Sequence, residues 1–219
     1  MLITGFEPFG GDSVNPSWEI AQRLAGWEPG PVTAIVQAVR LPCVFHLALD
    51  VLNDAITRLR PVAVIGLGLA GSRSDMSVER IAINVDDARI PDNAGRQPID
   101  QPVCAGAPAA YWSSLPIKSI VAALQEAGIA ASVSQSAGTF VCNHVFFGLA
   151  HRLAGRRRVA GSGRPDGLAG SLVRGGFIHV PWPVEGALDL ETMVDAVRIA
   201  IRVTLTAKTD RRLPGGALD

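Results

Sequence analysis

Two hydrophobic periods alternate along most of this chain, and that alternation constrains its fold more than any other feature. Short apolar, partly β-branched runs predict strands at Met1–Thr4, Val32–Ala38, Val62–Leu67, Ile129–Ser134 and Phe177–Val180, with Val78–Val85 as an extended strand or hairpin arm. Between them, helical spacing predicts helices at Trp18–Leu24, Cys43–Arg60, Lys118–Ala127, Val145–Leu153 and Leu190–Leu205. Asn15-Pro16 reads as a helix start, Pro61 as a stop and Gly128 as a C-terminal close. Strand–helix alternation implies an α/β fold, a single-domain α/β/α sandwich around a mostly parallel central sheet. At 219 residues the chain suits one domain over 1–219. Residues 155–176, rich in Gly and Arg, read as a flexible loop, and 208–219 as a frayed tail. In such sheets a ligand site lies beside strand ends, which directs attention to the loops after Thr4, Leu67, Ser134 and Val180.

Composition removes several classes of function. Lys plus Arg and Asp plus Glu are 20 each, so the formal net charge is zero. A nucleic-acid partner or a polybasic membrane surface binder needs a net positive field. No apolar run approaches the roughly 20 residues that span a bilayer, and the N-terminus lacks a secretory pattern. Three cysteines, widely spaced at Cys43, Cys104 and Cys142, argue against a disulfide framework and for a reducing, cytoplasmic setting. There is no C-x-x-C and no H-x-x-x-H, so no metal site is expected. GFEPFGG after the first strand lacks the phosphate-loop patterns, and its two phenylalanines suit an apolar pocket better.

The candidates for chemistry are a thiol, an imidazole and a carboxylate. Cys142 follows a strand and a turn and opens a helix, where the dipole and free N–H groups favour a thiolate and can serve an oxyanion. The competing reading is a buried apolar cysteine, which also describes Cys43 and Cys104. Among the four histidines, His46 and His151 sit in helical patterns, and His144 is two residues past Cys142, so its side chain points elsewhere. His179 ends a short apolar strand and is either the base or a core histidine. Glu79, Asp86 and Asp87 are candidates to orient the imidazole. Glu79 lies in an otherwise apolar strand, where a carboxylate needs a partner unless it faces water on an edge. Arg89 is a candidate donor to an oxyanion.

Four blocks then combine. TGFEPFGG with NPSWE, ERIAINVDDARIPDNAG, GTFVCNHVFFGLAH and GGFIHVPWP, in order over residues 1 to about 205, resemble the pyroglutamyl peptidase type I (pyrrolidone-carboxylate peptidase) family. The resemblance implies a cytosolic cysteine peptidase that removes an N-terminal pyroglutamyl residue, an α/β/α sandwich, no metal or cofactor, and a homotetramer. It implies Cys142 as nucleophile, His179 as base and acid, Glu79 as the group orienting His179, and Arg89 with the Cys142 N–H at the oxyanion. Phe6, Phe9, Ile90, Phe140 and Val141 would line the pocket for the pyrrolidone ring. Two further wall positions depart from the family: Leu69 stands where Gln is common, and Cys43 where Thr is common. A related cysteine-dependent amide hydrolase with altered specificity, or an inactive binding protein, are the alternatives.

Overall fold

The computed structural model describes residues 1–30, 33–160, 173–185 and 187–216, with the backbone alone for 156–160. Eight strands and five helices alternate among these residues: β1 (Leu2–Phe6), α1 (Pro16–Arg23), β2 (Gln37–Leu41), α2 (Leu47–Leu59), β3 (Ala63–Leu69), β4 (Met76–Glu79), β5 (Ile81–Ile83), β6 (Ala110–Trp112), α3 (Ile117–Glu126), β7 (Ala131–Ser134), α4 (Val141–Ala160), β8 (Arg174–Val180) and α5 (Leu190–Thr206). Six strands form one sheet in the order β2-β1-β3-β8-β4-β7. All neighbours pair parallel except β4 and β8, so β4 and β7 run against the other four strands. Strands β5 and β6 form a separate antiparallel pair.

Alternation along each strand divides the core into two layers. Ile3, Ile65, Leu67, Val78, Ile178 and Val180 face α1, α3 and α5. Leu2, Phe6, Val64 and Phe177 face α2 and α4. The sandwich expected from the sequence is therefore present, with the sheet covered on both sides as buried strands require. Ser77, Glu79, Phe177 and His179 belong by the same alternation to the face under α2 and α4, since Ser77 pairs with His179 across β4 and β8.

Several boundaries differ from the sequence reading, each for a local reason. The expected strand at 32–38 is β2 at Gln37–Leu41, where Gln37 N–H joins Met1 O and the pairing with β1 begins. Residues 31 and 32 lie outside the described set. The helix expected from Cys43 begins at Leu47, because the Cys43 N–H is held by Glu7 and the Phe45 N–H by Asp92, while His46 turns the chain with φ 63°. The arm Val78–Val85 breaks at Arg80 into β4 of the main sheet and β5 of the small one. Helix α4 runs from Val141 to Ala160, beyond the expected 145–153 at both ends; it starts early because Val141, Asn143 and His144 are buried, which overrides their modest propensity. The loop expected at 155–176 is accordingly helix up to 160 and strand from 174; residues 161–172 lie outside the described set.

The expected frayed tail is also corrected for its described part. Residues 208–216 have no helix or strand but are tied to α3 and β7. Asp210 accepts from the N–H groups of Lys118 and Ser119, Arg211 pairs with Glu126, and Gly215 O accepts from Arg80 and Gln135. The Asp210 carboxylate thereby receives free N–H groups of the first turn of α3, which has no side-chain cap of its own.

One side chain joins the small sheet to α4. Asn143 accepts from Ile83 N–H at 3.0 Å and donates to Ile83 O and Val85 O, both at 2.9 Å. It occupies the place of a neighbouring strand along β5. Asn143→Ala leaves three backbone groups without these partners, a loss of about 3 kcal/mol at roughly 1 kcal/mol per bond. The expected outcome is a lowered midpoint in thermal and denaturant unfolding, with an unchanged denaturant slope.

Candidate active site

The site forms where α4 meets the sheet. Gly68 of β3 pairs in register with His179 of β8. A Cβ added at Gly68 would lie 2.8 Å from Cys142 Sγ and 2.8 Å from the Phe177 ring. Paired residues project to the same face, so the thiol occupies the space above Gly68, on the face where the His179 imidazole projects. Glycine at this position is therefore the condition for the thiol to approach the sheet. Cys142 itself is half-buried. It lies in the first turn of α4; the first helical N–H bond there is His144 to Phe140 O at 3.1 Å, leaving earlier N–H groups without helical acceptors. The Cys142 N–H is one of these.

Behind the imidazole stands a buried carboxylate. His179 Nδ1 and Glu79 Oε1 are 2.7 Å apart, with Glu79 fully buried. Arg73 Nη1 donates to the same Oε1 at 2.7 Å, and its Nη2 donates to Ser136 O at 2.9 Å. Glu79 thus has the partner that its apolar strand demanded. Arg73 is absent from the sequence-derived set. The signal available was its place in GLGLAGSR, the loop after β3, but its target is disclosed only when β4 folds back beside β8.

A second histidine–carboxylate pair lies close by. His144 Nδ1 is 2.8 Å from Asp86 Oδ2, and both groups are buried. Its Nε2 accepts from the His46 backbone N–H at 3.1 Å, which fixes it as the Nδ1–H tautomer. Both ring nitrogens are occupied, so His144 has no lone pair left for a thiol proton. His179 Nε2, in contrast, has no hydrogen-bond partner among the described residues. Asp86 thereby serves His144, and Asp87 is exposed with its backbone joined to Thr139.

The remaining candidates separate by exposure. Phe9 and Phe140 are half-buried, 6.0 Å apart between ring centroids, with Phe45 edge-on to Phe140 at 5.4 Å. Ile90 is 41% exposed, near Gly10. These side chains make an apolar rim. Phe6 and Val141 are buried in the core beneath it, Phe6 packing on Phe177, and Cys43 and Leu69 are also buried. Arg89 is exposed and makes no hydrogen bond or ion pair with any described residue. Cys104, read from sequence as a buried apolar cysteine, is instead half-buried, with Sγ 3.9 Å from His151 Nε2. The loops converge: Glu7 and Pro8 bond Asn93, Phe9 meets Phe140, Gly71 lies against the Trp182 indole, and Arg73 reaches Ser136.

Electrostatics amend one expectation. The helix N-terminus was expected to hold Cys142 as a thiolate. Burial instead pushes the thiol above the ordinary cysteine range, reinforced by the neighbouring Cys43 thiol and the Glu79 carboxylate and opposed by Arg73 and its own backbone N–H. Cys43 is pushed up to about 12, first by burial and then by Glu7 and Asp92. Burial thus works against a preformed thiolate at this helix N-terminus.

Comparison with known proteins identifies the family. The family model for pyroglutamyl peptidase matches residues 1–207. The chain belongs to the pyroglutamyl peptidase family. Pyrrolidone-carboxylate peptidase of Erwinia tasmaniensis is 52% identical over 225 residues, covering 99% of this chain and 98% of that protein. The Cupriavidus necator protein of the same name is 50% identical over 226 residues, covering 100% and 98%. The crystal structure of pyroglutamyl peptidase I from Bacillus amyloliquefaciens matches with a TM-score of 0.86 at 41% identity, covering 97% of this chain and 98% of that one. Pyrrolidone carboxyl peptidase from Thermococcus litoralis matches with a TM-score of 0.83 at 38% identity, covering 97% and 98%.

The raised thiol makes a pH prediction. Both Cys43 and Cys142 keep their protons in the fold at a pH where an unfolded cysteine, near 8.5, has lost its own. The unfolded state then binds fewer protons, so stability falls as pH rises above about 8.5. Alkylation of Cys142 by iodoacetamide in the free protein should climb through and past that pH. A rate plateau extending down to about pH 6 would instead indicate a preformed thiolate.

Proposed function

We propose that this pyroglutamyl peptidase family member cleaves the amide bond after an N-terminal pyroglutamyl residue by acyl transfer through Cys142. The observation that carries the reading is the thiol above Gly68, on the face where His179 projects with Glu79 behind it and Nε2 without a partner among the described residues. His179 Nε2 takes the thiol proton as sulfur attacks the pyroglutamyl carbonyl carbon. The oxyanion of the tetrahedral intermediate is held by the Cys142 N–H and by Arg89, which the substrate draws in. His179 returns the proton to the leaving amine as the C–N bond breaks, giving a thioester. Water, deprotonated by His179, then attacks the thioester and releases pyroglutamate and the thiol. Glu79 holds the Nδ1–H tautomer and stabilises the imidazolium formed at each step.

The rim of Phe9, Phe140 and Ile90 supports selection of the lactam ring. A pyroglutamyl terminus has no ammonium group, and desolvating one against this rim would be costly. Phe6, Val141 and Cys43 act in this reading from beneath the rim, by shaping it; Leu69 pairs with Val180, so by alternation its side chain belongs to the opposite face of the sheet, against the expectation that it forms a pocket wall. The proposed enzyme works in the cytoplasm as a homo-oligomer, a tetramer by resemblance. Among the described residues no helix is long and apolar enough to cross a membrane.

Hydrolysis of pyroglutamyl, prolyl and glutaminyl chromogenic amides tests the reading. Pyroglutamyl amide should be turned over fastest, and Cys142→Ser should abolish turnover. His179→Ala should cost roughly 10²–10⁴-fold or more in kcat, and Glu79→Gln less, since an amide still bonds Nδ1–H. His144→Ala should act on stability, leaving the Asp86 carboxylate buried without its partner. Loss of kcat in folded His144→Ala equal to that of His179→Ala would mean the wrong histidine was assigned.

A further inference from the structure

The strongest feature outside the Cys142–His179–Glu79 set is the guanidinium of Arg73. We propose that Arg73 is a positioning residue that fixes the Glu79–His179 pair and the segment delivering Cys142 in one geometry. This inference rests on the acyl-transfer reading of the site.

Glu79 Oε1 receives both Arg73 Nη1 and His179 Nδ1 at 2.7 Å, whereas Oε2 is buried without a partner among the described residues. One oxygen thus carries both contacts, and the position of one donor constrains the other. A fully buried carboxylate needs a countercharge to remain ionised, and an arginine is charged at every working pH. An ionised carboxylate only accepts, so Nδ1 must carry the proton and Nε2 must present its lone pair. Arg73 therefore acts on the base through Glu79.

The second arm acts on the nucleophile. Nη2 donates to Ser136 O, in the segment 135–140 that links β7 to α4. Ser136 Oγ accepts from Gly138 N–H, and Gly138 has φ 76°, so this segment makes a defined turn four residues before Cys142. Arg73 is itself anchored, its N–H donating to Ala70 O at 3.0 Å. A planar guanidinium can hold both acceptors at once, and a lysine ammonium on its single flexible stem cannot reproduce that fork. The neighbouring titratable groups are Glu79 on β4, His179 on β8, Cys142 on α4, Cys43 after β2, and Asp75, which accepts from Ser77 Oγ at 2.7 Å.

The test compares Arg73→Met and Arg73→Lys with wild type, alongside Glu79→Gln and His179→Ala, on a pyroglutamyl chromogenic amide. Arg73→Met should lose about 10- to 100-fold in kcat, as expected of a misplaced base and nucleophile, with KM within threefold. The acidic limb of its kcat/KM profile should move to higher pH, because removing the cation favours protonation of both Glu79 and His179. Arg73→Lys should restore the acidic limb, which needs only charge, but not kcat, which needs the fork. Added guanidinium ion should partly rescue Arg73→Ala, as the side chain is 27% exposed. Arg73→Met with wild-type kcat and an unshifted limb overturns the proposal, provided Glu79→Gln and His179→Ala are impaired. If those two variants keep wild-type rates, the site reading itself fails. Should Arg73→Met not fold, the Lys variant decides: wild-type kcat there overturns the fork.

Discussion

Everything at this site is arranged around one buried carboxylate oxygen. Glu79 Oε1 sits at the end of a short strand, removed from water, and receives an imidazole from β8 and a guanidinium from the loop after β3. Burial is what gives these contacts their force. An exposed pair of this kind would be screened by solvent, whereas a buried carboxylate stripped of either donor is left with charge it cannot solvate. The antiparallel placement of β4 against β8 makes the meeting possible, since it sets Ser77 beside His179 and Glu79 one diagonal away on the same face.

Two histidine–carboxylate pairs of nearly equal geometry lie among the described residues, and they differ at the second ring nitrogen. His144 with Asp86 and His179 with Glu79 have Nδ1 contacts of 2.8 and 2.7 Å. In the first, the His46 N–H occupies Nε2, which joins the start of α2, the Asp86 segment and α4 into one support. In the second, Nε2 has no hydrogen-bond partner among the described residues, on the face where the thiol approaches. A carboxylate behind the ring is common to both; the free second nitrogen is not.

The thiol in turn depends on absences. No side chain stands at Gly68, so α4 can bring Cys142 down onto β3, and at Gly5 the missing Cβ lets Ser17 O approach β1, where an added carbon would lie 2.4 Å away. The residues of the first loop are structural in this sense. Glu7 bonds Cys43 N–H and Asn93, and Asn15 caps α1 while bonding Glu7 O. They hold three loops together beside the aromatic rim.

By itself the sequence determined the layered α/β architecture, because strand and helix periods follow from local side-chain spacing. It offered Cys142 as a thiol opening a helix and His179 as a histidine at a strand end, but left Glu79, Asp86 and Asp87 open as the carboxylate; Cys142, His179 and Glu79 were joined into one set by the family resemblance of the blocks that carry them. It could not reveal Arg73, whose partners Glu79 and Ser136 are defined only by strand order, nor the early start of α4 and the docking of 208–216. Those depend on contacts between segments far apart in the chain. The electrostatics of Cys142 have the same origin: a helix N-terminus is visible in sequence and favours a thiolate, but burial, a tertiary property, pushes the thiol the other way.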